Sequence, residues 1–347
     1  MGNKKLIHAV AGSGKTRFIV ENIEPSERNL IITYTENNQK VLKQRLIRKF
    51  DKIPDNTHIF GVFEFLYSFC LVPYLNYRPK GINFNYVKIS KFDNNSIDKN
   101  DRIIHNQLSH ALLDGVLKYN KKTIEFNGSY LDRIDKFFDY IFVDECQDFE
   151  SYDFDWMLSL SKLNATVYLL GDFYQKTYST SLSGNKGKGI HSDINKWFKK
   201  IGESGFEVDK TSLSSSHRCP YEICKFINEK LGINITSSRS TDCMGEIKLL
   251  ENNDDIDSVM RDETTMKLFY QKSSQYECMS MNWGESKGGE FNNVCVVLNK
   301  GTWERYKTNT LSNLAPSTKA KFYVACTRTL GKLWFIPEDK VADYKLQ

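Results

Sequence analysis

The stretch that most limits what this chain can fold into is Ala9 to Thr16, which reads A-V-A-G-S-G-K-T. An apolar run (Leu6, Ile7, Ala9, Val10) precedes it and a helix-like run (Phe18, Ile19, Val20) follows it. Strand, Gly-rich turn, Lys-Thr and helix is the phosphate-cradling arrangement of a P-loop. Gly12 and Gly14 let the backbone curl so that successive N–H groups, from Ala11 through Ser13, point at phosphate oxygens. The helix predicted to begin near Gly14 aims its positive end at the same place. Lys15 brings a full charge to the outer phosphates, and the Thr16 hydroxyl is suited to Mg²⁺. A chain built around this stretch is expected to be α/β, with a parallel sheet whose strands deliver such loops.

The 347 residues suffice for about two domains with their own cores. A net charge of +5 permits nucleic-acid binding without requiring it. No apolar run reaches the length of a membrane span, so the expectation is a cytoplasmic protein with no membrane partner. The eight cysteines lack CxxC spacing and read as reduced thiols rather than a disulfide framework.

In chain order, Leu30–Thr33 reads as a buried strand, with Asn37 as the N-cap of a helix through Val41, Leu42, Leu46 and Ile47. A strand at Thr57–Gly61 leads into an aromatic helix carrying Phe63, Phe65, Leu66 and Phe69. Residues 71–102 are rich in Asn, Asp and Lys and read as an insertion with mobile surface loops. The spacing of Ile103, Ile104, Leu108, Leu112, Leu113, Val116 and Leu117 predicts one helix. The strand Tyr140–Val143 ends in Asp144-Glu145. Asp144 is placed to reach a Mg²⁺ ion beside Thr16, and Glu145 to take a proton from attacking water. The strand Val167–Leu170 ends in Gly171-Asp172 and, shortly after, Gln175, which is placed to contact a γ-phosphate.

Taken together these residues resemble a superfamily 1 helicase of the UvrD/Rep/PcrA type. A-G-S-G-K-T at 11–16 is similar to motif I, Thr33-Tyr34-Thr35 to motif Ia, and Gly61-Val62-Phe63 to the next DNA-side motif. Asp144-Glu145-Cys146-Gln147-Asp148 resembles the D-E-x-Q-D motif II, and Gly171-Asp172 with Gln175 and Tyr178 resembles motif III. His217-Arg218 is similar to motif IV, Ser286–Phe291 to motif V, and Tyr323–Arg328 to motif VI. The ordered set runs from residue 9 to 329.

The resemblance implies two RecA-like P-loop NTPase domains with ATP in the cleft between them. Their expected extents are 1–70 with 135–205, and 206–347, with a reduced 1B-like insertion at 71–134. It implies ATP and Mg²⁺ as cofactors. Arg218 and Arg328 become arginine fingers, Glu290 a ribose contact, and Tyr34, Thr35, Phe63 and Tyr178 nucleic-acid contacts. The implied activity is ATP-driven movement on single-stranded DNA, 3′ to 5′, with RNA left open and an accessory or nuclease protein as a further partner. The chain departs from the family in having no Gln among residues 1–8, Gly284 and Gly289 within motif V, and no large 2B insertion. These departures suit a minimal motor, or alternatively an ATPase switch that holds DNA or a partner without robust unwinding.

Overall fold

The computed structural model describes residues 2–86, 94–177, 189–240 and 244–346. Strand β1 (Lys4–Ala9) feeds the P-loop, and helix α1 (Lys15–Glu21) leaves it. Then come β2 (Asn29–Thr33), α2 (Glu36–Phe50) and β3 (Thr57–Gly61). Helix α3 (Val62–Glu64) continues as a wider π-helical stretch, Phe65–Leu71, that buries Phe65, Leu66, Cys70 and Leu71. Next come β4 (Ile82–Asn83), β5 (Ile103–Ile104), α4 (Leu108–Asp114) and the hairpin β6 (Val116–Tyr119) and β7 (Lys122–Glu125). Helix α5 (Tyr130–Phe137), β8 (Tyr140–Val143), α6 (Ser151–Ser159), β9 (Thr166–Gly171), α7 (Ile194–Glu203) and β10 (Glu207–Leu213) follow.

Six of these strands form one sheet in the order β10-β1-β9-β8-β2-β3, while β4 with β5 and β6 with β7 make separate two-stranded pairs. The pairings of β2 with β3, β2 with β8 and β8 with β9 are parallel. Every residue of β2 is buried, which suits its central apolar run, Leu30 to Ile32.

The C-terminal part begins with the short pair β11 (Ser215–Ser216) and β12 (Thr236–Ser237), flanking α8 (Tyr221–Phe226). It continues with β13 (Glu246–Leu249), α9 (Asn253–Arg261), β14 (Thr265–Phe269), β15 (Ser280–Asn282), β16 (Phe291–Leu298), α10 (Lys300–Lys307), α11 (Pro316–Cys326) and β17 (Thr329–Pro337). Its five strands pair in parallel in the order β13-β17-β16-β14-β15. Leu268, Val294, Val296, Phe322, Leu333 and Phe335 lie in its core. Two parallel sheets with alternating helices match the α/β class read from the sequence.

The chain's contacts group it into two compact units. The described residues of Met1–Ile7, Thr16–Gly171 and Ser179–Asp209 form the first, and those of His8–Lys15, Asp172–Tyr178 and Lys210–Gln347 the second. The P-loop turn thus clusters with the C-terminal residues. Strand β10, grouped with the C-terminal half by the sequence reading, lies at the edge of the six-stranded sheet.

Three local expectations are corrected. Thr35, not Asn37, caps α2, and its hydroxyl accepts from the Asn38 N–H. The helix expected over 103–117 is three elements, β5, α4 and β6, because α4 ends at Gly115 in the left-handed region (φ +70°). Among the described residues of 71–102 the chain is partly anchored rather than loose, and residues 87–93 of that stretch lie outside the described residues. Asp98 is buried and accepts from the Asn83 side chain at 2.6 Å and from the Asn100 and Arg102 N–H groups. These bonds outweigh burial and lower the Asp98 pKa.

Candidate functional site

In the second unit, Gly12 and Gly14 both take positive φ, +71° and +94°. A Cβ on Gly12 would stand 2.5 Å from Arg218 Cβ and 2.8 Å from Ser216 Oγ, so only glycine permits this approach. The His217 N–H donates to the Gly12 carbonyl at 2.9 Å. The Ser216 hydroxyl accepts from the backbone N–H groups of Arg218 and Cys219. The P-loop turn is therefore laced to the segment that carries Arg218. Ser13 is buried, and its hydroxyl has no hydrogen-bond partner. A buried polar atom of this kind calls for a partner, and a phosphate oxygen suits both it and the surrounding turn.

Tyr323, fully buried on α11, joins three sequence-distant elements. Its phenolic oxygen accepts from the Ala11 N–H at 3.0 Å and donates to Asp172 Oδ2 at 3.1 Å. Gln175 Nε2 donates to the same carboxylate oxygen at 2.9 Å, and the Tyr174 N–H donates to the other at 3.0 Å. Burial pushes the Asp172 carboxyl up to about 6, against the opposing pull of Lys15 and these donors.

Arg328 follows α11 and is 1% exposed. It donates to the Val324 carbonyl (2.9 Å), the Thr327 hydroxyl (3.2 Å) and, at 3.5 Å, the Gln175 side-chain oxygen and the Gly289 carbonyl. Burial, then the Arg218 charge, brings it down to about 9, so it remains a cation at neutral pH. Among the described residues no carboxylate forms an ion pair with Arg328. Arg218 instead pairs with Glu290 at 2.6 Å and contacts the Thr327 carbonyl at 3.4 Å. A buried guanidinium without a carboxylate is costly on its own and well matched to an incoming anion.

The first unit holds Thr16, in the first turn of α1, and the acidic segment after β8. Asp144 is buried, and its Oδ1 accepts from the Glu145 N–H at 3.0 Å. Glu145 sits at φ +55°, ψ +41°, an unusual conformation for a glutamate. Gln147 Nε2 donates to Glu145 Oε2 at 2.5 Å. The Gln147 side-chain oxygen in turn lies where a Cβ on Gly171 would approach to 2.5 Å. The fourth position of D-E-x-Q-D, Gln147, thus orients the glutamate, and Gly171 leaves room for it.

The four expected nucleic-acid residues are placed differently from one another. Tyr34 and Phe63 make an edge-on pair at 5.9 Å, at the ends of β2 and β3. Thr35 spends its hydroxyl on the α2 cap. Tyr178 lies outside the described residues. Sequence reasoning missed Ser216, Asp172 and Tyr323 as supports of the site. The tyrosine that opens the Tyr323–Arg328 segment, similar to motif VI, was the available signal for the last.

Residues 94–336 match the viral superfamily 1 RNA helicase core domain, and the chain belongs to that family. The match supports the superfamily read from the motifs and names a viral RNA branch of it, not the UvrD/Rep/PcrA type. Among solved structures, the PRRSV helicase aligns with a TM-score of 0.49 and 14% identity, over 99% of this chain and 54% of that one. Arterivirus nonstructural protein 10 (helicase), solved in complex with DNA, aligns with a TM-score of 0.47 and 13% identity, over 98% of this chain and 63% of that one. The chain therefore spans roughly half to three-fifths of the length of these helicases. No curated protein sequence matches it. No described helix is long and apolar enough to cross a membrane.

Proposed function

We propose that this chain is the motor core of a translocase that couples ATP hydrolysis to movement along a single-stranded nucleic acid. One observation carries the reading. A continuous path of hydrogen bonds runs from the P-loop N–H of Ala11 through Tyr323, Asp172 and Gln175 to the buried cation Arg328. Such a path lets the state of a bound phosphate alter the position of an arginine more than 300 residues away in sequence.

In this reading the Gly12 and Gly14 N–H groups, the Ser13 hydroxyl and Lys15 bind the phosphates, while the Ala11 N–H, expected to join them, stays on Tyr323. Thr16 and Asp144 would hold Mg²⁺, which when bound neutralises charge on the transferring phosphoryl group. Glu145, oriented by Gln147, accepts a proton from the attacking water. Arg328 and Arg218 stabilise charge on the γ-phosphate oxygens, Gln175 reports its loss, and Glu290 exchanges its pairing with Arg218 for the nucleotide ribose. The 3′ to 5′ polarity and a DNA track follow the UvrD resemblance, whereas the family match favours RNA. A second reading, a nucleotide-controlled switch that does not travel, draws on the Arg218–Glu290 pair, which occupies one of the two arginines.

The test is Arg328→Ala in steady-state ATPase assays beside nucleotide-binding titrations. The expected outcome is a fall in kcat of about 10³-fold, the usual effect of losing an arginine finger, with nucleotide Kd changed far less. An unchanged kcat would remove Arg328 from the reaction and overturn the reading.

A further inference from the structure

In the first unit, two aromatic residues that the expected contacts do not include, Phe84 and His105, join Tyr34 and Phe63 in one cluster. Phe84 is 55% exposed, uncommon for so large an apolar side chain. It lies just after β4, and His105 just after β5. The parallel register of those strands, Asn83 opposite Ile104, brings the two next residues side by side. Their rings stack with centroids 5.7 Å apart and 27° between planes. Phe63 meets both edge-on, each at 5.5 Å, and Tyr34 meets Phe63 in turn.

The exposed ring is held in place. The Asn83 side-chain amide donates to the buried Asp98 at 2.6 Å, and its oxygen accepts from the Asn85 N–H at 2.9 Å. The Asn83 carbonyl lies 3.3 Å from His105 Nδ1. Burial lowers the His105 pKa, which favours a neutral ring. Tyr34 and Phe63 stand just beyond the carboxyl ends of β2 and β3, the edge of an open parallel sheet where ligands collect.

We propose that Phe84 and His105, backed by Phe63, form a stacking platform for unpaired nucleobases, contributed by the insertion to the nucleic-acid track. The inference rests on the translocase reading. The platform suits a base better than a protein surface. Three rings offer far less area than the roughly 800 Å² that each partner buries in a stable protein interface. A planar base gains from even one rigid aromatic face, whatever its identity.

The test measures fluorescence anisotropy of labelled oligo-U, oligo-dT and an abasic strand of equal length with wild type, Phe84→Ala and Phe84→Trp. Wild type is expected to prefer base-bearing strands. Phe84→Ala is expected to weaken binding of oligo-U or oligo-dT by roughly 5- to 150-fold, the range of one lost stack, while abasic binding stays within about twofold. Phe84→Trp is expected to restore the preference. Unchanged binding of base-bearing strands by Phe84→Ala would overturn the platform while leaving the translocase reading in place. So would an equal loss on the abasic strand, because Phe84 would then act only by holding the insertion together. Failure of wild type to bind any strand would overturn both.

Discussion

At Gly12 the fold turns on the absence of one methyl group. The residue combines φ +71° with a neighbour, Arg218 Cβ, that would lie 2.5 Å from any added Cβ. Left-handed backbone costs a non-glycine residue about 1–3 kcal/mol, and the contact adds strain that neither backbone can relieve cheaply. Gly12→Ala should therefore lower thermal stability by at least about 2 kcal/mol and weaken nucleotide binding at the same time. Thermal melts with and without nucleotide would show both effects, and a wild-type melting curve would refute the packing described for the P-loop. Glu145 faces the opposite situation. It keeps a side chain in the left-handed region because the Gln147 amide and the Asp144 carboxylate fix it on either side.

At the scale of elements, α4 and α6 are joined by a buried hydrogen bond in which the Ser109 hydroxyl donates to Asp153 at 2.7 Å. Burial raises the Asp153 carboxyl to about 7, only partly offset by that bond. A raised carboxyl pKa means that the folded state holds its proton to higher pH than the unfolded chain does. Stability from this group is thus complete below the ordinary carboxylate range, near 4, and is lost as pH rises towards 7. Asp153→Asn, which keeps an acceptor for Ser109 without the charge, should gain on wild type by about 2 kcal/mol between pH 5 and pH 7.5 in denaturant titrations. A constant difference across that window would show that Asp153 is ionised throughout. The elements that sequence reasoning placed well are those whose signals are local. Buried apolar runs such as Leu30–Thr33 and Tyr140–Val143 are strands because nothing else accommodates them. It failed where a tertiary choice overrode periodicity. Gly115 ends α4 and frees Val116 and Leu117 for a hairpin, and Ile103 and Ile104 pair with Ile82 and Asn83 instead of starting a helix.

At the scale of the whole molecule, the P-loop and D-E-x-Q-D patterns were legible in the sequence because each lies within a few consecutive positions. The links among distant residues could not. The bond from Ala11 to Tyr323 spans 312 positions, and no local pattern marks Ser216 as the residue beneath Gly12. Phe84 carried no motif and sits in a polar stretch, so its pairing with His105 emerges only from the β4–β5 register. The measurement that bears most directly on the proposed motor is ATP hydrolysis by the purified chain, with and without single-stranded RNA and DNA, beside Glu145→Gln. The account predicts several-fold stimulation by at least one strand, and a loss of turnover of about 10²–10⁴-fold in Glu145→Gln with nucleotide still bound. Hydrolysis that proceeds at the same rate with and without either strand would contradict it.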